Sequence, residues 1–88
     1  MQDDTKADVL KRLSFIDGHL AGIRRMVEAD KYCVDVLKQT YAVRRAIEKT
    51  EAIMLAGHLA TCVVDGIQDG RVDAVVSELS ELYEMAGR

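Results

Sequence analysis

Residues Tyr32 to Val64 read YCVDVLKQTYAVRRAIEKTEAIMLAGHLATCVV, a run with no proline and a single late glycine, Gly57. At 3.6 residues per turn it is predicted to be one helix of about nine turns. His58 and Cys62 are four residues apart, so a helix places them on one face within reach of one small ion. Cys33 supplies a third donor, but it precedes His58 by 25 residues, roughly 37 Å along a continuous helix at 1.5 Å per residue. No single ion spans that distance. If Cys33 belongs to the same site, it must come from a second chain. Two such helices packed antiparallel, with a two-fold axis near Ala46 and Ile47, set Cys33 of one opposite His58 and Cys62 of the other. The arrangement closes as an isologous dimer with two equivalent sites.

Taken singly, the cysteines read as small hydrophobes and His58 as a helix-surface histidine. Together they form a soft donor set of two thiolates and one imidazole, which suits Cu(I). Structural zinc almost always takes four ligands, and no obvious fourth is present. A metal-bound imidazole normally engages a hydrogen-bond partner through its other ring nitrogen. Tyr32, beside Cys33, and Glu78, further along, are the candidates, against an ordinary packed tyrosine tip and a solvated glutamate.

The 88-residue chain fits one domain, 1–88, and a chain this short covers little surface by itself, so self-association is expected. Proline is absent and only 5% of residues are aromatic, a composition that predicts an all-helical fold without sheet. The first ten residues, MQDDTKADVL, are acidic and polar, so no secretory leader is expected, and no membrane-spanning run is expected either. A cytosolic location follows, where two cysteines serve as ligands or reactive thiols rather than a structural disulfide.

Apolar residues flank the central run in helical register. Thr5 is predicted to cap a first helix in which Leu13, Ile16, Leu20, Ile23 and Val27 step by three and four. A break at Glu28 to Lys31, with Asp30 as the expected cap of the next helix, makes an antiparallel hairpin. Gly66 and the Asp69-Gly70 pair predict an ending and a turn before a short third helix from Val72 to Ala86.

The net charge of −3 hides an uneven distribution. Residues 11–49 carry nine Lys or Arg against five Asp or Glu, while residues 50–88 carry two against seven. Within the basic middle, a turn near residue 30 sets Arg12 level with Lys49 on adjacent helices. The two-fold axis brings a second Lys49, Arg44 and Arg45 nearby. Such a patch at a dimer centre can contact phosphates. His19 has no ligand-type neighbour at helical spacing and reads as an ordinary surface or interface histidine. No phosphate-binding glycine loop, catalytic triad or carboxylate pair is present, so no enzyme is expected.

Residues 10–67 resemble the copper-sensing repressor family of the CsoR and RcnR type. Two segments carry the resemblance: RLSFIDGHLAGIRRMVEADKYCVDVL, where the family tends to read R-L-x-x-I-E-G-Q-x-x-G-I-x-x-M followed by Y-C-x-D-V-L, and AGHLATCV, where it reads H-L-x-x-C-V. The resemblance implies a three-helix protomer, a dimer forming an antiparallel four-helix bundle, and a tetramer that binds operator DNA without a helix-turn-helix. It further implies that Cu(I), bound by Cys33 of one protomer with His58 and Cys62 of its partner, releases the DNA. Tyr32 and Glu78 fall where copper-sensing members place partners of the histidine, and Arg12 and Lys49 where members place DNA-contacting residues.

The chain also departs from the pattern. His19 replaces the usual glutamine, and Ala21 an arginine often found two residues later. Nickel and cobalt members add an N-terminal histidine, formaldehyde-responsive members an N-terminal proline, and persulfide-sensing members lack the histidine that is His58 here. Copper is the best reading. The alternatives are another inducer of the same family (thiol or persulfide, formaldehyde, nickel or zinc) or a copper-buffering protein that does not bind DNA.

Overall fold

The computed structural model describes residues 1–87; Arg88 lies outside them. Three helices follow one another: α1 (Asp3–Glu28), α2 (Cys33–Gln68) and α3 (Val72–Ala86), and no strand occurs among the described residues. The all-helical, three-helix expectation holds. α2 is unbroken, but its hydrogen-bonding changes along its length: Cys33–His58 is α-helical, Leu59–Val63 is a π-helical turn, and Val64–Gln68 is α-helical again.

Both turns are Schellman motifs. After α1, the Asp30 N–H donates to the Val27 carbonyl at 3.1 Å and the Lys31 N–H to the Met26 carbonyl at 3.0 Å. Asp30 takes a left-handed φ of 53°. This is the pairing by which a left-handed residue past a helix end satisfies the last carbonyls, and Asp is one of the few non-glycine residues that tolerates it. Asp30 therefore closes α1 instead of capping α2, whose N-cap is Tyr32. After α2 the same pattern recurs, with Gly70 N–H on Ile67, Arg71 N–H on Gly66, and Gly70 at φ 80°. Gly66 itself is a buried helical residue in the last turn, two residues before the helix ends at Gln68.

α1 begins earlier than its capping-box pattern predicts. Its N-cap is Gln2, and Asp3 and Asp4 fill the first turn, where negative charge complements the helix dipole. Thr5 lies inside the helix with its side chain against Gly57; a Cβ at Gly57 would meet Thr5 Cγ2 at 3.1 Å. At the other end of the hairpin, His19 Nε2 and Gln39 Oε1 are 2.7 Å apart. These two contacts fix α1 and α2 side by side and antiparallel. Between them the buried residues are Val9 and Ile16 on α1 and Val43 and Thr50 on α2, each pair seven residues apart and so on one side of its helix. The Thr50 hydroxyl, 2% exposed, donates to the Ala46 carbonyl at 2.8 Å, which satisfies it within the helix. Val63 and Val75 bury the smaller contact between α2 and α3.

The protomer is a thin slab, 56 × 29 × 14 Å, little more than one helix thick. Its radius of gyration is 17.3 Å, against about 12 Å for a compact chain of this length. Leu13, Leu20 and Val27, spaced by seven on α1, are 42–58% exposed, as are Leu37 and Leu55 on α2 at 48% and 42%. Against expectation, α2 also contains an 18-residue window whose mean hydropathy, 1.2, reaches the level of a membrane-spanning helix, with 17% of it buried in the protomer. The apolar residues of α2 are interrupted by polar ones such as His58 and Thr61, so no continuous apolar run spans its length.

The glycines report this packing. A Cβ at Gly66 would lie 2.6 Å from Val75 Cγ2, while one at Gly18 meets nothing within 4 Å in the protomer. Gly66→Ala is expected to lower stability by about 1–3 kcal/mol through overpacking, whereas Gly18→Ala is expected to raise it by up to about 1 kcal/mol through helix propensity. Urea denaturation of both variants checks the pair. Loss of stability in Gly18→Ala would reveal that another helix approaches there.

Candidate metal centre

α2 positions all three predicted ligands. Cys33 is its first residue, and His58 and Cys62 lie near its far end. Within one chain they do not meet: among the described residues no three His, Cys, Asp or Glu side chains gather where they could hold a metal ion. At roughly 100° per residue, Cys33, Leu37, Arg44, Glu51, Leu55 and His58 lie in one stripe along α2. That stripe is about a quarter-turn round the helix from the line of Val43 and Thr50 that packs on α1. Both cysteines are free and exposed.

The π-helical turn falls between His58 and Cys62. A wider turn has about 4.4 residues instead of 3.6, so four residues still come close to one full rotation and the two side chains stay on one side. The Thr61 hydroxyl donates to the Gly57 carbonyl at 2.8 Å and lies 3.7 Å from Cys62 Sγ. A side-chain hydroxyl bonded to the carbonyl four residues back competes with the backbone ladder, here at the point where the helix widens. Nothing in the sequence spacing announced this turn. The signal available was the Gly57 and Thr61 pair, which reads equally well as plain helix.

Glu78 is placed by α3. Its Oε2 lies 3.9 Å from His58 Nε2, too long for a hydrogen bond but close enough for one to form with a small rotation of an exposed carboxylate. Engagement of Nε2 leaves Nδ1 as the ring nitrogen free for a ligand bond. His58 also borders an apolar groove of about 600 Å³ between α2 and α3, lined by Glu51, Met54, Leu55, Leu82 and Met85. Tyr32, exposed at the start of α2, is a whole helix length from His58 of its own chain. Like Cys33, it does not reach that imidazole within the protomer.

The basic residues divide between two faces. Arg12, Phe15, Ile16, His19 and Ala46 line a shallow pocket on one side of the hairpin. Lys49 follows Ala46 by three residues and Arg45 precedes Lys49 by four, so Arg12, Lys49 and Arg45 share that side. Arg12 is bonded through Nε to Asp8 at 3.0 Å, a half-exposed pair that leaves the other guanidinium nitrogens available. Arg44 does not join them. It lies on the stripe of Cys33 and His58, with its guanidinium 4.9 Å over the Tyr41 ring. The thiol–imidazole stripe and the Arg12–Lys49 patch thus occupy opposite sides of the slab.

A family model described as metal-sensitive transcriptional repressor matches residues 5–85. The chain belongs to this family. It is 47% identical over 76 residues to the copper-sensing transcriptional repressor CsoR of Mycobacterium ulcerans, covering 86% of this chain and 65% of that protein. It is 38% identical over 79 residues to CsoR of Bacillus subtilis, covering 90% and 78%. The chain therefore spans just under two thirds of the length of the mycobacterial CsoR proteins it matches. The crystal structure of CsoR with Cu(I) from Geobacillus thermodenitrificans superimposes with a TM-score of 0.93 at 27% identity, covering all of this chain and 92% of that one.

Proposed function

We propose that this member of the metal-sensitive repressor family is a Cu(I)-responsive transcriptional repressor of the cytosol. It binds operator DNA in the metal-free form and leaves it when Cu(I) binds Cys33 of one protomer with His58 and Cys62 of its partner. One observation carries the reading: two exposed thiols and an imidazole lie on one stripe of one unbroken helix, at opposite ends of it. Only a second, antiparallel chain completes the donor set. The resulting dimer, doubled to a tetramer, also covers the exposed Leu13, Leu20 and Val27 of α1 and Leu37 and Leu55 of α2.

Two thiolates and an imidazole fit Cu(I), a soft ion content with three donors. Glu78 and the partner-derived Tyr32 orient the His58 ring. Bound copper supplies a cross-link between protomers. The chain's own residues do the rest: Arg12, Lys49 and Arg45 on the outer side contact phosphates, and Glu78 ties His58 to α3, so a change at the ligand end is felt by two helices. Copper and DNA binding are then linked with opposite sign. The copper-named relatives, the Cu(I)-bound structural neighbour and the exposed donors support this reading over other inducers of the family. The chain acts as a regulator with no catalytic site and no membrane partner.

A gel shift with the DNA upstream of the protein's own gene, with and without Cu(I), tests the proposal. Cys33→Ala and His58→Ala are each expected to retain DNA binding but to stay bound at copper levels that release the unmodified protein. Copper-driven release in both variants would contradict it. Lys49→Ala is expected to weaken binding about equally for all sequences and to reduce the slope of log K against log salt by about one per site contacted, read by fluorescence anisotropy at several salt concentrations. An unchanged slope would remove Lys49 from the DNA face.

A further inference from the structure

The stripe that carries the ligands also carries two opposite charges without partners. Arg44 lies eleven residues after Cys33, and Glu51 lies eleven residues before Cys62. Both are exposed, and among the described residues the ion pairs are Arg12 with Asp8, His58 with Glu78 and Arg71 with Asp69. Arg44 rests over the Tyr41 ring of its own chain, and Glu51 borders the groove beside His58. Within one helix they cannot pair with each other. Seven residues at 1.5 Å each separate them by roughly 10 Å along the axis.

We propose that Arg44 of each protomer pairs with Glu51 of its partner, and that these two symmetry-related ion pairs set the register of the α2–α2 seam. The inference rests on the antiparallel dimer of the proposed function and adds what holds it in place. Any antiparallel pairing that brings Cys33 to Cys62 of the other chain brings Arg44 to Glu51 of the other chain, because the offsets are equal. When Cys33 instead faces His58, Arg44 is offset from Glu51 by four residues, roughly 6 Å, a span that the two long side chains cover by leaning along the helix.

The same two residues reject the neighbouring registers. A slide of seven residues, roughly 10 Å, turns each helix by only about 20° and so keeps this same face at the seam. Sliding one way sets Arg44 against its own copy. Sliding the other way sets Glu51 against its own copy. Either slide replaces two attractions with a like-charge contact in a partly dewetted seam and separates Cys33 from His58 and Cys62. Polar residues within an apolar seam are known to specify register and orientation at some cost in stability, and a planar guanidinium over an aromatic ring is already partly oriented for a bidentate carboxylate. The position of Arg44 thus assigns it to the seam and leaves Arg12, Lys49 and Arg45 as the phosphate-facing set.

Subunit exchange tests this without copper. Arg44→Glu and Glu51→Arg are made in separate chains carrying tags of different mass, mixed, and sorted by native mass spectrometry. In the dimer of either single variant, both seam contacts are like-charged; in the mixed dimer, both are opposite. The mixed species is expected in about tenfold excess over the statistical proportion, and circular dichroism of the mixture is expected to gain helix relative to either variant alone. The doubly exchanged chain, Arg44→Glu with Glu51→Arg, is expected to pair with itself and to exclude the unmodified chain. Statistical mixing in both experiments would overturn the pairing. The copper reading has its own control in the unmodified protein: its copper-dependent release from DNA is decided separately from these charge exchanges.

Discussion

A helix is a rigid spacer, and the length of α2 is the constraint on which the rest depends. Thirty-six residues without a proline or a break hold Cys33 away from His58 and Cys62 by roughly 37 Å at 1.5 Å per residue. The π-helical turn widens the rod locally but does not bend the two ends together. Every donor of the candidate centre is therefore present in each chain, and the centre is absent from each chain. Under the proposed function, completing the site and forming the dimer become one event.

The packing points the same way. A slab 14 Å thick cannot enclose a core; it can cover only the line where two helices touch. Val9, Ile16, Val43 and Thr50 occupy that line, and the apolar residues a quarter-turn away remain open to solvent. On α2 the exposed Leu37 and Leu55 lie on the side of the cysteines and His58, while Arg12, Lys49 and Arg45 lie on the other, together with the exposed Phe15. A two-fold pairing through the apolar side hides the ligand stripe at the seam and leaves the basic side outward on both protomers. In the proposed repressor, sensing and DNA contact act through opposite surfaces of the same helix.

The three helices were legible in the sequence because helices reveal themselves by period and punctuation. The absence of proline, the i, i+4 spacing of His58 and Cys62 and the equal distances about residue 46 are the sequence features on which the proposed antiparallel pairing rests. What escaped reading depended on backbone detail. Asp30 is equally suited to begin a helix through its carboxylate or to end one in the left-handed region, and the Schellman bonds to Met26 and Val27 decided for the second. Thr5 has the chemistry of a cap, yet the helix starts ahead of it and its side chain fills the space opened by Gly57. Gly66 resembles a terminator but owes its place to Val75. The π-helical turn at Leu59–Val63 left no periodic trace, and Arg44, next to Arg45 in sequence, proved to face elsewhere because consecutive helical residues diverge by roughly 100°.

The central claim is that the thiol at the start of α2 and the imidazole and thiol near its end act together only between chains. Complementation measures this directly. Cys33→Ala removes one donor from both sites of a dimer, and the double change His58→Ala with Cys62→Ala removes the other two. Neither homodimer retains a complete set, but a mixed dimer retains one. Copper titration of the two variants, alone and after subunit exchange, is expected to show tight Cu(I) binding appearing only in the mixture, at one ion per mixed dimer. If the mixture binds no more tightly than its parents, the ligands do not meet across the seam and the account is wrong.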